Sequence, residues 1–274
     1  MNALEIMSIA RNRIGLLNET AFATPELLPL LEIAQNRVDR VIHGLYDSQL
    51  TRTKIYSNMT ASYVLLPKDV REISGASRLD SDGIDRPCTI LDFSKKEDIG
   101  VDPNYSPSEY SPYAVRDGDN LYFFPVLAST TVSVKYKRIP QAPPVGIYYW
   151  IDSDSGTLGE LALPIDDLYI DYFVTLYQRT DKRIAKGVWT ITDYLGSTKV
   201  IDVKESGVPA VANLEYALHP IIPAHYHDVL VGGLVAELYK SQDVRKALGI
   251  KEEIALAEDS QFEKRLRALI NVAE

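Results

Sequence analysis

Apolar residues follow two different spacings along this chain. In the outer parts they recur every three or four positions, which is typical of amphipathic helices, whereas in the middle they alternate with polar residues, which is typical of strands. The first spacing predicts a helix over 3–16 and a second one beginning at Thr24-Pro25, where Thr can cap the helix and proline has no amide to leave unpaired. The apolar seam of the second helix consists of Leu27, Leu31, Ala34, Val38, Val41 and Leu45.

The middle of the chain, from about 51 to 136, is predicted to form β structure. Asp117-Gly118 separates two runs of strand-forming residues, 113–116 and 121–124, and this arrangement is a strong hairpin signal. In the run 131–136, strict alternation predicts that one face buries Val132, Val134 and Tyr136.

The later part of the chain is predicted to be mainly helical. Asp166 and Asp167 favour a helix start through the helix dipole, and the helix is expected to run to about 186 with an apolar face of Ile170, Phe173, Tyr177 and Ile184. Segment 188–222 is irregular and is interpreted as an extended arm or hairpin. A helix beginning at Pro223 runs to Lys240, where Gly232 and Gly233 permit a close approach, and the final helix follows Gly249.

These elements predict an α+β fold. Residues 1–50 and 160–274 are expected to form a helical bundle, with 188–222 as its irregular arm, because helices distant in sequence must pack together to bury their seams. Residues 51–145 are expected to form an inserted, mostly antiparallel β domain.

Composition narrows the classes of function. The 274 residues are 46% apolar, and 29 basic against 38 acidic residues give a net charge of −9. A chain of this charge is not expected to grip nucleic acid through its phosphates. The first 15 residues have no unbroken apolar core, so neither a secretory signal nor a membrane span is predicted, and synthesis in a cytoplasm is the default. A lone cysteine, Cys88, excludes an intrachain disulfide framework and a cysteine-based metal site.

Two segments offer candidate metal ligands. His225 and His227, with His219 nearby, have the i,i+2 spacing of strand-borne ligands, but on a helix such side chains point away from each other. The segment 152–156, DSDSG, resembles the opening of a calcium loop, yet its glycine comes one position early and Leu163 stands where the bidentate glutamate belongs. Surface histidines and a solvated turn are the preferred interpretations, and no metal is predicted.

No catalytic or cofactor-binding set is predicted either. Gly146, Gly156 and Gly159 do not form a phosphate-binding loop, and Ser106 and Ser108 lie in a proline-rich turn rather than a nucleophile elbow. Carboxylate pairs that could do acid–base work are more simply explained as solvated loops or helix starts. These pairs are Asp80 with Asp82, Asp166 with Asp167, and Glu252 with Glu253.

An aromatic cluster in the β region has two open interpretations. Its rings either divide between the sheet core and a subunit interface, or they line a face that binds sugar or peptide. Its members are Tyr105, Tyr110, Tyr113, Tyr122, Phe123 and Phe124.

The order of residues in the β region resembles the head-to-tail adaptor proteins of tailed bacteriophages, of the short-tailed type. The resemblance lies in YVLLPKDVREI at 63–73, in YAV at 113–115 with LYFFP at 121–125, and in VSVKY at 132–136 before Pro140. It extends to the layout, since those adaptors are helical bundles interrupted by a β domain. Two departures are the long segment 188–222 and the lack of a basic portal-binding tail, and they leave the docking mode open.

The resemblance implies a structural virion protein and not an enzyme. Such a protein forms a homo-oligomeric ring, of 12 copies like the portal, between the portal and the next tail or ring protein, in the neck of a virion assembled in the bacterial cytoplasm. Genomic DNA passes through the ring without being gripped, and no membrane is involved. Segment 188–222 is expected to reach a neighbouring subunit or the portal, so deleting 196–212 should abolish docking and leave the monomer folded.

Two alternatives remain. The first is a carbohydrate- or protein-binding β module of a virion or cell-surface assembly, with its ligand at the patch from Tyr105 to Tyr113. The second is a hydrolase that uses carboxylates, which requires a pocket holding a carboxyl group of raised pKa.

Overall fold

The structure is a computed structural model of the chain. It describes residues 1–16, 24–42, 50–126, 129–141, 143–178, 181–204, 207–209, 214–249 and 251–273. The chain divides into two compact units. Unit 1 comprises Met1–Tyr46 and Pro140–Glu274, and unit 2 comprises Asp47–Ile139, so unit 2 is inserted in the sequence of unit 1.

Five α-helices are described, all in unit 1: α1 (Ala3–Arg13), α2 (Thr24–Ile42), α3 (His227–Lys240), α4 (Gln242–Leu248) and α5 (Glu252–Ala273). The strands of unit 2 are β1 (Thr51–Met59), β2 (Tyr63–Leu65), β3 (Val70–Leu79), β4 (Asp85–Pro87), β5 (Thr89–Leu91), β6 (Tyr113–Asp117), β7 (Asn120–Phe124) and β8 (Thr130–Arg138). Those of unit 1 are β9 (Val145–Trp150), β10 (Ser155–Leu158), β11 (Phe173–Gln178), β12 (Asp181–Leu195), β13 (Val200–Val203) and β14 (Leu214–Leu218).

Unit 2 consists of two four-stranded sheets that share one apolar core. The sheet orders are β1-β8-β3-β4 and β2-β7-β6-β5, and neighbours are antiparallel except for β5 and β6. The alternation predicted for β8 is confirmed, because Val132, Val134 and Tyr136 are all buried in this core. The predicted hairpin is also confirmed: β6 and β7 pair directly across the turn, and Gly118 there has a positive φ of 60° that favours glycine.

Unit 1 contains a closed six-stranded barrel, which contradicts the predicted helical bundle. Its strands follow the closed order β10-β13-β12-β11-β14-β9, and its described strand pairs are all antiparallel. Tyrosines fill much of the interior. Tyr169 and Tyr194 contact edge to face, and both bind the backbone of Leu163, whose nitrogen donates to Tyr169 Oη and whose oxygen accepts from Tyr194 Oη.

The helix predicted from Asp166 to about 186 is wrong, because β11 and β12 occupy most of this range. Val174 and Leu176 point into the barrel while Phe173 is exposed, so the true period is two. The helical spacing of 170, 173, 177 and 184 arose by coincidence from aromatic and branched residues, which strands favour. Asp166 does not start a helix but accepts a hydrogen bond from the Gly196 nitrogen at 2.7 Å.

The arm predicted at 188–222 is also wrong. This segment supplies most of the second half of β12 and all of β13 and β14, which are half of the barrel wall. β13 is hydrogen-bonded on one side to β10 and on the other to β12. The expectation that deleting 196–212 leaves the monomer folded therefore has no structural basis. Unit 1 combines a closed barrel with a helical layer, and the helical bundle with an inserted β domain is overturned.

The helices pack as predicted from their seams. Leu27, Leu31, Ala34 and Val38 of α2 are buried, as are Phe262 and Leu266 of α5. α3 contacts both α2 and α5, and Gly233 on α3 makes this approach possible, since a Cβ there would lie 2.9 Å from Phe262 Cζ.

An ion-pair network centred on Arg37 of α2 joins these three helices. Arg37 lies 2.5 Å from Glu237 of α3 and 2.8 Å from Asp259 of α5, and it also binds Glu263. Although burial acts to lower it, the hydrogen bonds that Arg37 donates to these carboxylates raise the pKa of Arg37 above its ordinary value. Its guanidinium also lies 4.7 Å from the centroid of the Phe262 ring, so Arg37 is a structural group that holds the helical layer together.

Candidate functional site

The three candidate histidines do not form one ligand set, although His219 and His227 lie close enough for their charges to interact. His225 is exposed and lies against Tyr226, whereas His227 is buried. His227 Nε2 donates to the Ile222 oxygen at 2.8 Å, and its Nδ1 lies 2.9 Å from the Met1 nitrogen, so both ring nitrogens are occupied. His219 Nε2 forms a 2.6 Å hydrogen bond with Thr175 Oγ1. Burial lowers the pKa of both rings, that of His219 to about 4, and both are neutral at pH 7.

The calcium-loop-like segment is the turn between β9 and β10. Asp152 accepts a hydrogen bond from the Asp154 nitrogen at 3.1 Å, which is a local turn contact. The structure brings this turn close to Asp193 of β12 and Asp202 of β13, which sequence reasoning did not connect with it. Burial raises the pKa of Asp202, and repulsion from Asp193, Asp152 and Asp154 adds to the shift.

We refer to Asp152, Asp154, Asp193 and Asp202 as the acidic cluster. All four are exposed, and none has a cation partner within the described residues. Throughout the described part of the chain, no group of three or more His, Cys, Asp or Glu side chains is suited to hold a metal ion, and the acidic cluster is no exception.

The paired carboxylates are engaged in local structure. Asp80 accepts from the Ile84 nitrogen at 2.8 Å and from Arg86 Nε at 2.7 Å. Although burial acts to raise it, these hydrogen bonds hold the pKa of Asp80 below its ordinary value, the opposite of what a general acid needs. Asp166 holds a turn, and Glu252 lies 3.6 Å from Arg245 at the start of α5.

Cys88 is half-buried, and its thiol is not activated as a nucleophile. Burial raises the pKa of its thiol to about 12, so the nucleophilic thiolate is not formed near neutral pH. Cys88 is therefore a small structural side chain.

The aromatic cluster of unit 2 is divided rather than gathered into one site. Phe123 belongs to the core, whereas Tyr113, Tyr122 and Phe124 are half-buried on the opposite face of the same sheet. Tyr110 is exposed and lies under Arg86, whose guanidinium carbon is 5.2 Å from the ring centroid.

Tyr122 forms part of a small aromatic surface on the open sheet of unit 2. Its ring centroid lies 5.3 Å from that of Tyr63 on the neighbouring strand. Lys96 Nζ lies 3.6 Å from the Tyr122 centroid and 2.8 Å from Asp117 Oδ2. Tyr63 and Leu65 are exposed, so this surface can contact a ligand or a partner.

Sequence reasoning missed two apolar patches on the outside of the barrel. The β9 patch consists of Tyr149 and Ile151, which are 57% and 46% exposed, while Trp150, on the other face of the strand, is exposed near the end of the barrel. The β11–β12 patch consists of Phe173, which is 51% exposed, and Val188, which lies diagonally across on the next strand. The run YYWI at 148–151 carries no charge and was the available signal for the first patch, whereas the second appears only when Phe173 is placed on a strand.

The closed strand order separates these two patches, since β9 is two strands away from β11 and three strands away from β12. In a ring of six strands, those three positions apart face each other, so β9 lies opposite β12 and β10 lies opposite β11. Exposed apolar surface on a barrel wall is typical of protein contact sites.

A pocket of about 360 Å³ lies among the helices of unit 1. Its walls include Arg13 at the end of α1, Val235 and Tyr239 of α3, and Glu258, Phe262 and Arg265 of α5. Neither Arg13 nor Arg265 forms an ion pair with any described residue, and both are exposed. We call it the arginine pocket. Sequence reasoning missed it because the two arginines are separated by most of the chain.

The described residues include no helix that is both long and apolar enough to cross a bilayer. Comparison of the chain with models of known protein families gives no match, and comparison with curated proteins gives none either.

Proposed function

We propose that this chain is a structural virion protein that forms an adaptor ring between the portal and the tail. In this proposal the ring extends the DNA channel and binds the portal on one side and the next tail or ring protein on the other. The pattern at 63–140 supports the proposal through its resemblance to the phage adaptors. The helical bundle does not, since the structure replaces it with a barrel.

The observation that carries the proposal is the pair of apolar patches on different parts of the barrel wall, two to three strands apart. A contact between the β9 patch of one copy and the β11–β12 patch of the next joins two different surfaces. Contacts of this heterologous kind repeat from copy to copy and close into a ring when the rotation allows. The net charge of −9 agrees with the role, because a channel wall that grips few phosphates lets DNA slide.

Electron microscopy and mass photometry of the purified chain, alone and with the portal protein of the same genome, test this proposal. We expect annular particles, and we expect Tyr149→Glu or Phe173→Glu to reduce assembly at least about tenfold, because a charge would enter an apolar contact. Ile254→Glu is the matched control, since Ile254 is equally exposed but lies on α5. A wild-type chain that stays monomeric with and without the portal contradicts the proposal.

The second candidate function is a carbohydrate- or protein-binding β module. The aromatic surface with Tyr63, Tyr122 and Lys96 favours it, because exposed rings beside polar groups suit both sugars and peptides. A glycan array with wild type and Tyr63→Ala tests it. Specific binding by a monomeric chain, lost in the variant, would replace the adaptor proposal.

A further inference from the structure

The arginine pocket contains positive charge that no described residue neutralises through an ion pair. Arg13 and Arg265 have no ion-pair partner within the described residues, whereas the carboxylates of Asp259 and Glu263 on the same side of α5 are already held by Arg37. Val235 and Phe262 supply an apolar floor. Two unpaired guanidinium groups over apolar surface suit a carboxylate ligand, which they can bind through several N–H donors.

The acidic cluster carries charge of the complementary kind. Its turn, Asp152–Asp154, follows directly after Ile151 of the β9 patch and is exposed. Behind it, Asp193 and Asp202 occupy paired positions on β12 and β13, and Asp202 also pairs with Ser155 of β10. Four carboxylates without a cation therefore lie at one place on the barrel.

The fold places these two surfaces on opposite sides of unit 1. The helical layer rests on β11 and β14: α1 contacts β14, and Tyr177 of β11 binds Asn2 and Glu5. In the closed strand order, β10 lies opposite β11 and β13 lies opposite β14. A copy cannot bring its own turn to its own pocket, but a neighbouring copy can present its turn there.

We infer that the Asp152–Asp154 turn of one copy docks in the arginine pocket of the next copy. This inference rests on the proposed ring. It adds a polar contact between neighbouring copies, in which the barrel of one copy meets the helical layer of the next. Copies that each carry a net charge of −9 repel one another, so a local pairing of opposite charges fixes which surfaces meet. Glu258 also lies in the pocket wall, and its negative charge opposes the contact with the acidic turn.

Charge reversal on each side, followed by mixing, tests the contact. One chain carries Arg13→Glu with Arg265→Glu, and the other carries Asp152→Lys with Asp154→Lys. We expect each alone to need about tenfold higher concentration than wild type to assemble, because like charges then meet at every contact. An equimolar mixture should assemble like wild type, since each reversed pocket then meets a reversed turn and each native pocket meets a native turn.

Native mass spectrometry with one chain isotopically labelled reads out the result, and equal numbers of both chains are expected in each assembly. Arg267→Glu and Asp82→Lys are the matched controls, since both are exposed and lie outside the two surfaces. Glu258→Gln should strengthen assembly by removing the opposing charge. A structural role for these residues cannot produce rescue on mixing.

The outcomes separate this contact from the ring itself. If wild type assembles but the reversed chains assemble equally well, or if the mixture is not rescued, the contact is wrong and the ring stands. If the reversed chains lose only binding to the portal, the pocket receives the portal instead, and the inference is again overturned. If wild type does not assemble at all, the proposed function fails with it.

Discussion

The two units of this molecule differ in how they treat the edges of their β-sheets. The six strands of unit 1 close into a barrel, so each strand has a neighbour on both sides. The two sheets of unit 2 remain open, and β1, β2, β4 and β5 are edge strands. A closed barrel can contact a partner only through side chains, whereas an open sheet also offers backbone donors and acceptors. The difference directs attention to the side-chain patches of unit 1 as specific contact sites.

Unit 2 protects its longest edge from unwanted pairing. β1 has nine residues, and its Arg52 and Lys54 lie opposite Tyr136 and Val134, on the side of the sheet that faces the core. Inward charged residues and a local irregularity, here between Tyr56 and Met59, are known ways to keep an edge strand from adding another strand.

Deletion of 196–212 is expected to have the largest effect, and this effect is confined to unit 1. It removes β13, which bridges β10 and β12, and it opens the barrel. We expect unit 1 to unfold, with a loss greater than about 5 kcal/mol, the lower range of a whole domain's stability. Circular dichroism and hydrogen exchange measure this, with unit 2 expected to keep its protection. Asp202→Asn is the control within the same segment, and a deleted chain with native protection in β11 and β14 would refute the barrel.

Adding one methyl group to a glycine in each unit distinguishes the two kinds of sheet. In the barrel, a Cβ on Gly156 would lie 2.0 Å from Tyr148 Oη, and Tyr148 is buried. In the open sheet, a Cβ on Gly75 would lie 3.8 Å from Lys135 Cβ, an ordinary contact. We expect Gly156→Ala to cost about 2–3 kcal/mol through overpacking and Gly75→Ala to change stability by less than about 0.5 kcal/mol. Urea denaturation of both variants checks this, and equal losses would contradict it.

Acid should weaken unit 1 through its histidines. The four histidines all lie in unit 1, and burial lowers the pKa of His219 to about 4. Between pH 6.5 and 4, His219 is protonated in the unfolded chain but not in the folded chain. The stability present above pH 6.5 is therefore lost as the pH falls toward 4. The melting temperature should fall by a few degrees at most, since solvent still reaches the ring. His219→Gln should flatten the profile, and an unchanged profile would argue against this role.

Unit 2 should respond to pH with the opposite sign. Burial raises the pKa of Asp69, although Arg138 and Arg52 act to lower it. A carboxyl group of raised pKa contributes stability below its unfolded value that is lost as the pH rises through its folded value. Hydrogen exchange followed separately in the two units distinguishes this small trend from the histidine effect.

The smallest expected effect concerns the edge of unit 2. Replacing Lys54 with Val removes an inward charge from β1, which should allow a minor fraction of chains to associate through this edge. Thr53→Val is the control, because Thr53 lies on the other face of the same strand. Dynamic light scattering at high concentration measures the fraction, and identical scattering by both variants would show that Lys54 does not guard the edge.

The sequence correctly predicted those elements that have a long apolar pattern or that are bounded by residues with clear capping or turn preferences. α2 has a proline near its start and a continuous buried seam, and β8 alternates over its whole length. The hairpin at Gly118 needed only local turn chemistry. In each case the residues that define the element lie close together in the chain.

The barrel escaped prediction because its strands depend on distant partners. β11 pairs with β12 and β14, and the short β13 has no pattern strong enough to stand alone. Aromatic residues at Phe173 and Tyr177 fit a helical spacing as well as a strand, and only closure of the sheet decides between them. The arginine pocket escaped for the same reason, since Arg13 and Arg265 line one pocket only after α1 and α5 have both packed on α3.

The insertion of unit 2 also affects the order in which the chain can fold during synthesis. α2 packs mainly against α3 and α5, and α3 begins at His227, 185 residues after α2 ends at Ile42. At usual elongation rates a ribosome needs about 10 to 40 s to cover this distance. The inserted unit 2 is complete long before then and can fold on its own schedule. The buried seam of α2 therefore waits without its partners, which makes this helix a natural client for a holding chaperone.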